Sequence, residues 1–105
     1  MTSDAEILSQ IKKIVLDREP AAKIYLYGSR ARGDARHDSD WDLLILLNTE
    51  RVSVEQENRV ADPLYDLEFD IGQIISPMVY SDHEWNSKHL ITPLYQNIKL
   101  EGKLL

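Results

Sequence analysis

Two short motifs in this chain, Gly28-Ser29 and the pair Asp40 and Asp42, contain the residue types best suited to chemistry on a phosphate. Ten residues separate Ser29 from Asp40. Gly28-Ser29 directly follows the apolar run Lys23–Tyr27, which is predicted to be a strand. Glycine allows a close backbone approach. Backbone N–H groups and a hydroxyl at the start of a helix can bind phosphate oxygens, so the first motif predicts a phosphate-binding turn.

The two aspartates lie at the start of the second predicted strand, Trp41–Leu47. Residues two apart on a strand point to the same face, so the carboxylates of Asp40 and Asp42 should be neighbours, with Trp41 on the core face. Neighbouring carboxylates repel each other unless a cation lies between them. Mg²⁺ commonly takes one or two carboxylates together with substrate phosphates. Alone, each motif is more often a plain turn or a solvated strand end. Together they predict one site for phosphate, metal and nucleotide.

The elements that must position these residues follow from periodicity and end signals. An apolar helical stripe after Ser3 or Asp4 predicts a first helix. The segment Val54–Ile71 has a helical stripe, but Leu67, Phe69 and Ile71 also alternate as in a strand, and we favour a helix that Gly72 ends. The remaining predictions are a helical turn at Arg30–Arg32 closed by Gly33, a strand Gln73–Tyr80 with Pro77 at an edge or bulge, a capped turn from Ser81 to Trp85, and a helix Thr92–Leu100 ended by Gly102.

This order of elements predicts an α/β (α+β) fold, with a small mixed sheet of three or more strands flanked by helices. At 105 residues the chain is expected to form a single domain, residues 1–105.

The stretch from Tyr27 to Leu47 resembles the signature of the DNA polymerase β-type nucleotidyltransferase superfamily, and more narrowly its minimal prokaryotic members, the MNT proteins. The resemblance implies the nucleotidyltransferase fold and transfer of a nucleotide from a nucleoside triphosphate. It assigns Gly28 and Ser29 to the phosphates. It assigns Asp40 and Asp42 to Mg²⁺ and catalysis.

The family places a third carboxylate on a later strand, and its position in this sequence is open. Asp70 is the first candidate for a metal ligand and Glu68 the second. If Val54–Ile71 is a helix, both lie at a helix end, and Gln73 or Ser76 takes the position on the following strand instead. A neutral side chain there would be a poor base for the attacking hydroxyl.

Arg30 follows Gly28-Ser29 directly and is predicted to contact the triphosphate, since arginine matches phosphate geometry. Its alternative role is a solvated helix residue paired with a nearby acid.

The resemblance also implies a partner. Many minimal members are encoded beside a small helical HEPN protein and act as the antitoxin of a toxin–antitoxin pair, which can modify the partner by adenylylation. Two hypotheses follow: an enzyme that transfers AMP from ATP to a hydroxyl of a partner protein, or a nucleotide-binding antitoxin module that acts by binding alone.

Composition limits the other classes. The chain has no cysteine, which excludes thiolate zinc sites and cysteine nucleophiles, and its net charge of −6 argues against general nucleic-acid binding. Neither a secretory signal from Met1 to Glu6 nor a membrane-length apolar run is present, so a cytoplasmic location is expected. An uncovered sheet edge would suit a second copy, so a homodimer is a further expectation.

Overall fold

The computed structural model describes residues 3–105, so the first two residues of the N-terminal segment considered above lie outside it. It is a four-stranded sheet with helices on both faces. In chain order the elements are α1 (Asp4–Arg18), β1 (Lys23–Tyr27), α2 (Ser29–Arg32), β2 (Trp41–Leu47), α3 (Val54–Ile71), β3 (Ile75–Ser81), α4 (Asp82–Ser87), α5 (Pro93–Glu101) and β4 (Lys103–Leu104).

The strands lie in the order β3-β2-β1-β4. β1 runs antiparallel to both β2 and β4, while β2 and β3 are parallel. The parallel pair needs a crossover connection, and α3 supplies it. The predicted mixed sheet of an α/β fold is therefore confirmed.

The two faces of the sheet pack differently. One face carries the larger core, covered by α1 and α3, and Trp41 lies there at 1% exposure. The other face carries a smaller cluster that includes Leu44, Leu46, Trp85 of α4 and Ile98 of α5. Since side chains alternate along β2, Asp42 belongs to this second face, as predicted, and Trp41 to the first.

The predicted helix ends are confirmed by the caps. The hydroxyl of Ser3, rather than Asp4, accepts the first-turn hydrogen bond of α1. Ser53 and Gln56 form a reciprocal capping box at the start of α3. Gly72, in the left-handed conformation, ends α3, which continues through Pro63.

The structure differs from the predicted elements in several places. The third strand begins at Ile75, not at Gln73, because Gln73 and Ile74 still form the turn after α3. The turn expected through Trp85 is the helix α4, capped by Ser81. The short strand β4 was not predicted. Pro77 lies in β3, an edge strand, as expected.

Within residues 3–105, no helix combines the length and the apolar character required to cross a membrane.

The core under β2 should control the stability of the whole domain. Leu64 of α3 is fully buried in the larger core, and replacing it with alanine should cost about 2–5 kcal/mol of unfolding free energy through the cavity it leaves. Leu100, 86% exposed, offers the same chemical change without a cavity, so Leu100→Ala should cost less than about 0.5 kcal/mol. Urea unfolding of both variants measures the difference, and equal losses would contradict this account of the core.

Candidate active site

The predicted phosphate turn is formed by the end of β1 and the start of α2. Gly28 has φ +76° and ψ −159°, a conformation that favours glycine, and Ser29 begins the helix. Gly33 closes α2 in the left-handed conformation, with its N–H donating to the Ser29 carbonyl at 3.0 Å. The start of α2 has no side-chain cap. The first N–H groups of a helix lack intrahelical acceptors, so those of Ser29 and Arg30 remain able to bind an anion.

Antiparallel pairing brings this turn to the aspartates. Tyr27, the last residue of β1, lies opposite Asp42 in the register with β2. A Cβ atom at Gly28 would clash with the Oδ2 atom of Asp42, so the missing side chain of Gly28 is what lets the carboxylate approach the turn. Asp42 is half-buried, while Asp40 precedes the strand and is exposed.

The electrostatics of Asp42 show that the two aspartates are neighbours. Burial raises the pKa of the Asp42 carboxyl, and the charge of Asp40 raises it further. Arg32 lowers this pKa, and Glu101 raises it by a smaller amount. The ionised form of Asp42 is therefore disfavoured in the folded chain, and a cation between the two carboxylates would relieve it.

Tyr27 shares this environment from the adjacent strand. Burial, followed by the charge of Asp42 and the proximity of Tyr80, raises the pKa of Tyr27 to about 12. Its hydroxyl donates to the sulfur of Met78 at 3.7 Å. A phenol with this pKa stays protonated near neutral pH and can act as a hydrogen-bond donor, not as a base.

The Arg30 side chain is held by protein groups, among them Asp4 at 3.5 Å, a nearby acid as in its alternative role. Its side chain is only 5% exposed, and its guanidinium donates to the carbonyls of Ser39 and His37 and to the amide oxygen of Gln73. It also lies 4.0 Å from the centre of the Trp41 ring, a cation–π contact. These contacts account for the side chain without a phosphate and hold the segment that leads from α2 to Asp40.

The candidates for the third carboxylate lie apart from the aspartate pair. Asp70 is an exposed residue near the end of α3. This helix packs on the Trp41 face of the sheet, whereas Asp42 lies on the other face. Glu68 accepts a hydrogen bond from the N–H of Ile75 at 2.7 Å. Gln73 accepts hydrogen bonds from the Trp41 indole and Arg30.

The residue of β3 directly opposite Asp42 is Ser76. Strand alternation puts Met78 and Tyr80 on the same face as Ser76, so β3 contributes no carboxylate there. The structure thus brings Gly28, Ser29, Asp40 and Asp42 together and leaves Asp70 outside.

The donor set fits a cation that is completed by its substrate. Among the residues described, no group of three or more histidine, cysteine or acidic side chains is arranged to hold a metal ion. Asp40 and Asp42 alone supply the two carboxylates that Mg²⁺ commonly takes when phosphates and water provide its other ligands.

A cavity of about 330 Å³ lies on the same face of the sheet as Asp42, but further along the strands. Its floor is Tyr25, Leu44 and Leu46, and its walls include Trp85 and Tyr95. Ser29, Asp40 and Asp42 do not line this cavity. The candidate site is therefore the more open surface where β1 ends and β2 begins.

One contact at the site could not be found from the sequence. The carboxylate of Glu101, at the end of α5, accepts a hydrogen bond from the N–H of Gly28 at 3.2 Å and pairs with Arg32 at 3.2 Å. Its only sequence signal is an acid directly before the helix-ending Gly102, a position where the helix dipole disfavours negative charge.

The close approach at Gly28 gives a test with a matched control. Gly28→Ala and Gly33→Ala both place a side chain at positive φ, at a cost of about 1–2 kcal/mol for the left-handed Gly33 and about 1–3 kcal/mol for Gly28, whose ψ of −159° is used almost only by glycine. Only the Gly28 variant also meets Asp42, since a Cβ at Gly33 has nothing within 4 Å. Gly28→Ala should therefore lower the melting temperature clearly more than Gly33→Ala in thermal unfolding. Equal shifts would mean that Asp42 does not approach the turn as described.

The raised pKa of Asp42 predicts that replacing Asp42 stabilises the folded protein, whereas replacing Gly28 destabilises it. A carboxyl whose pKa is raised by folding destabilises the folded state above that pKa. Asp42→Asn should raise the melting temperature of the ligand-free protein by a few degrees at pH 7. The gain should shrink as the pH falls and Asp42 takes up its proton. The exposed Asp38 is the control, since Asp38→Asn should change little, and a lower melting temperature for Asp42→Asn would contradict the prediction.

Comparisons with known proteins agree with this geometry. Residues 8–95 match the model of the nucleotidyltransferase domain family. A protein of Methanocaldococcus jannaschii, provisionally assigned as a protein adenylyltransferase, is 33% identical over 79 residues, which cover 71% of this chain and 77% of that protein.

Solved structures share the fold. A toxin–antitoxin structure with AMP-PNP matches with a TM-score of 0.65 at 23% identity, covering 91% of this chain and 69% of the other. A variant of the MntA–HpeT toxin–antitoxin matches with a TM-score of 0.65 at 24% identity, covering 93% and 70%. The chain, with its Gly28-Ser29 turn placed beside Asp40 and Asp42, belongs to the nucleotidyltransferase domain family.

Proposed function

We propose that this chain transfers a nucleotide, AMP from ATP, to a hydroxyl group of a partner protein, with Mg²⁺ held by Asp40 and Asp42. The observation that carries the proposal is the register of β1 and β2, which sets the Asp42 carboxylate against the Gly28-Ser29 turn. In a family of nucleotidyltransferases, a phosphate turn beside two carboxylates is the arrangement that handles a triphosphate with its cation.

The reaction is an in-line displacement at the α-phosphorus. The acceptor hydroxyl forms the new P–O bond, the bond to the bridging oxygen of pyrophosphate breaks, and the hydroxyl proton passes to a base or to water. Mg²⁺, when bound, neutralises triphosphate charge and stabilises the attacking and leaving oxygens.

The chain's own residues orient the triphosphate. The N–H groups of Ser29 and Arg30 and the hydroxyl of Ser29 bind the terminal phosphates. Asp40 and Asp42 hold the cation at the start of the adjacent strand, and the half-buried Tyr27 donor lies beside Asp42.

The acceptor is proposed to be a helical protein of the HEPN type, as in a toxin–antitoxin pair. Two similarities support this: the relative from M. jannaschii is provisionally a protein adenylyltransferase, and the structural neighbours are toxin–antitoxin proteins.

A second candidate function is a nucleotide-binding antitoxin that does not turn over. The observation that favours it is the absence of a carboxylate on the Asp42 face of β3, where Ser76 lies opposite Asp42. A serine hydroxyl is a poor general base compared with a carboxylate. In this candidate function the chain still binds the nucleotide, and its biological effect comes from binding to the partner protein.

Nucleotide binding tests the shared part of both candidates. ATP should bind the wild type only with Mg²⁺, and Asp40→Asn or Asp42→Asn should weaken binding at least about tenfold, because each removes a cation ligand. Asp38→Asn, an exposed acid in the same loop, should bind like the wild type. Calorimetric titration measures all four proteins, and Mg²⁺-independent binding would contradict the proposed metal site.

Transfer separates the two candidates. With ATP labelled at the α-phosphate, label should appear on the purified partner protein and be lost with Asp42→Asn. Neutralisation of the partner that survives Asp42→Asn without labelling would support the binding module instead.

A further inference from the structure

The carboxylate of Glu101 joins the end of the described chain to the proposed phosphate turn. Its Oε1 atom accepts from the N–H of Gly28 at 3.2 Å, and both oxygens lie within 3.3 Å of the Arg32 Nη1 atom. The Glu101 side chain is 26% exposed, so the contact is partly shielded from water. Glu101 lies beyond residues 8–95, so the family comparison assigns it no role.

The backbone of Glu101 is held by α5 on its N-terminal side and by Gly102 and β4 on its C-terminal side. On its C-terminal side, Gly102 ends α5 by donating to the Ile98 carbonyl at 2.7 Å, in a space that a Cβ atom could not enter. β4 then pairs with β1, the strand that leads into Gly28, and the N–H of Leu105 donates to the Ile24 carbonyl at 2.9 Å. The backbone that carries Glu101 is therefore fixed, and the carboxylate itself is held by the N–H of Gly28 and the guanidinium of Arg32.

The contact selects which donors of the turn face an anion. With its N–H bound to Glu101, Gly28 cannot donate to a phosphate, and the N–H groups of Ser29 and Arg30 remain. The backbone of Gly28 has a positive φ, which is one of several conformations open to a glycine, so its contacts must select it. Glu101 fixes the N–H side of this residue, while Asp42 packs against its Cα.

We propose that Glu101 is a positioning residue of the nucleotide site: its carboxylate fixes the Gly28 peptide so that the following N–H groups and the Ser29 hydroxyl face the phosphates. This inference rests on the proposed function. The hydrogen bond to Gly28 carries the effect. The ion pair with Arg32 adds little, because Arg32 is about half exposed and such pairs contribute little to stability.

Two substitutions separate the hydrogen bond from the charge. Glu101→Gln keeps an acceptor oxygen for Gly28 and removes the charge, whereas Glu101→Ala removes both. Glu101→Ala should weaken Mg²⁺-dependent ATP binding about three- to tenfold, as expected for one lost hydrogen bond, and Glu101→Gln should not weaken it. Glu84→Ala is the matched control, since Glu84 of α4 is also 26% exposed and is ion-paired with Lys88, the residue that follows that helix, away from the site.

Hydrogen exchange of the Gly28 amide, followed by NMR in ligand-free protein, gives a readout that does not depend on nucleotide. Exchange should be slow in the wild type and in Glu101→Gln, and faster in Glu101→Ala. Equal protection in the alanine variant would overturn the proposal even if ATP does not bind. A wild type that fails to bind ATP while Gly28 responds as expected would count against the proposed function alone. Tighter ATP binding by both Glu101 variants would also overturn the positioning role, since it would make Glu101 a competitor of the phosphates.

Discussion

The close approach of the Gly28 backbone to the Asp42 carboxylate is the constraint on which the site depends. It requires a glycine, because any Cβ at that position would overlap with Asp42. It also requires an antiparallel β1–β2 pair, because only then does the end of one strand meet the start of the next. The segment between Ser29 and Asp40 must therefore leave β1 and return to the same end of the sheet. α2 and the buried Arg30 hold that return path in place.

The two faces of β2 have different roles, since one packs in the rigid core and the other carries the reactive carboxylate. On one face, Trp41 packs in the main core and lies against the Arg30 guanidinium, so the loop before Asp40 is tied directly to the most buried part of the protein. On the other face, one residue later, Asp42 is only half-buried. Strand alternation thus places a fixed support and an accessible carboxylate next to each other in sequence. A displacement of the core would move Asp42 with it.

Most of the fold was predictable because its signals are local. The caps at Ser3 and Thr92, the glycine that ends α3, and the apolar strands β1 and β2 each depend on residues a few positions apart. The competing patterns in Val54–Ile71 were resolved in favour of a helix because its stripe packs continuously on the sheet, through Val60, Leu64 and Leu67. That choice leaves Asp70 exposed, away from Asp42.

What the sequence did not reveal depends on distant contacts. β4 has two residues, too few for any period, and it exists because β1 offers a free edge. The contact of Glu101 with Gly28 spans 73 positions. Arg30 was predicted to face a phosphate because it follows the turn. Its partners, Ser39, Gln73 and Trp41, become neighbours only when the sheet has formed.

Nucleotide transfer and nucleotide binding require different things of the same residues. The difference is that transfer must also remove the proton of the acceptor hydroxyl. Binding needs only neutralised charge, which the turn and the aspartate pair supply. Transfer also needs a proton acceptor near the attacking oxygen. β3 offers Ser76 at the position opposite Asp42, and Tyr27, with a pKa of about 12, stays protonated. The nearby carboxylates are Asp40 and Asp42, which a bound cation would make weaker bases, and Glu101, which already accepts from Gly28 and pairs with Arg32. Efficient transfer would thus require the acceptor protein to bring a hydroxyl that is already activated, which makes the identity of the partner part of the catalytic chemistry.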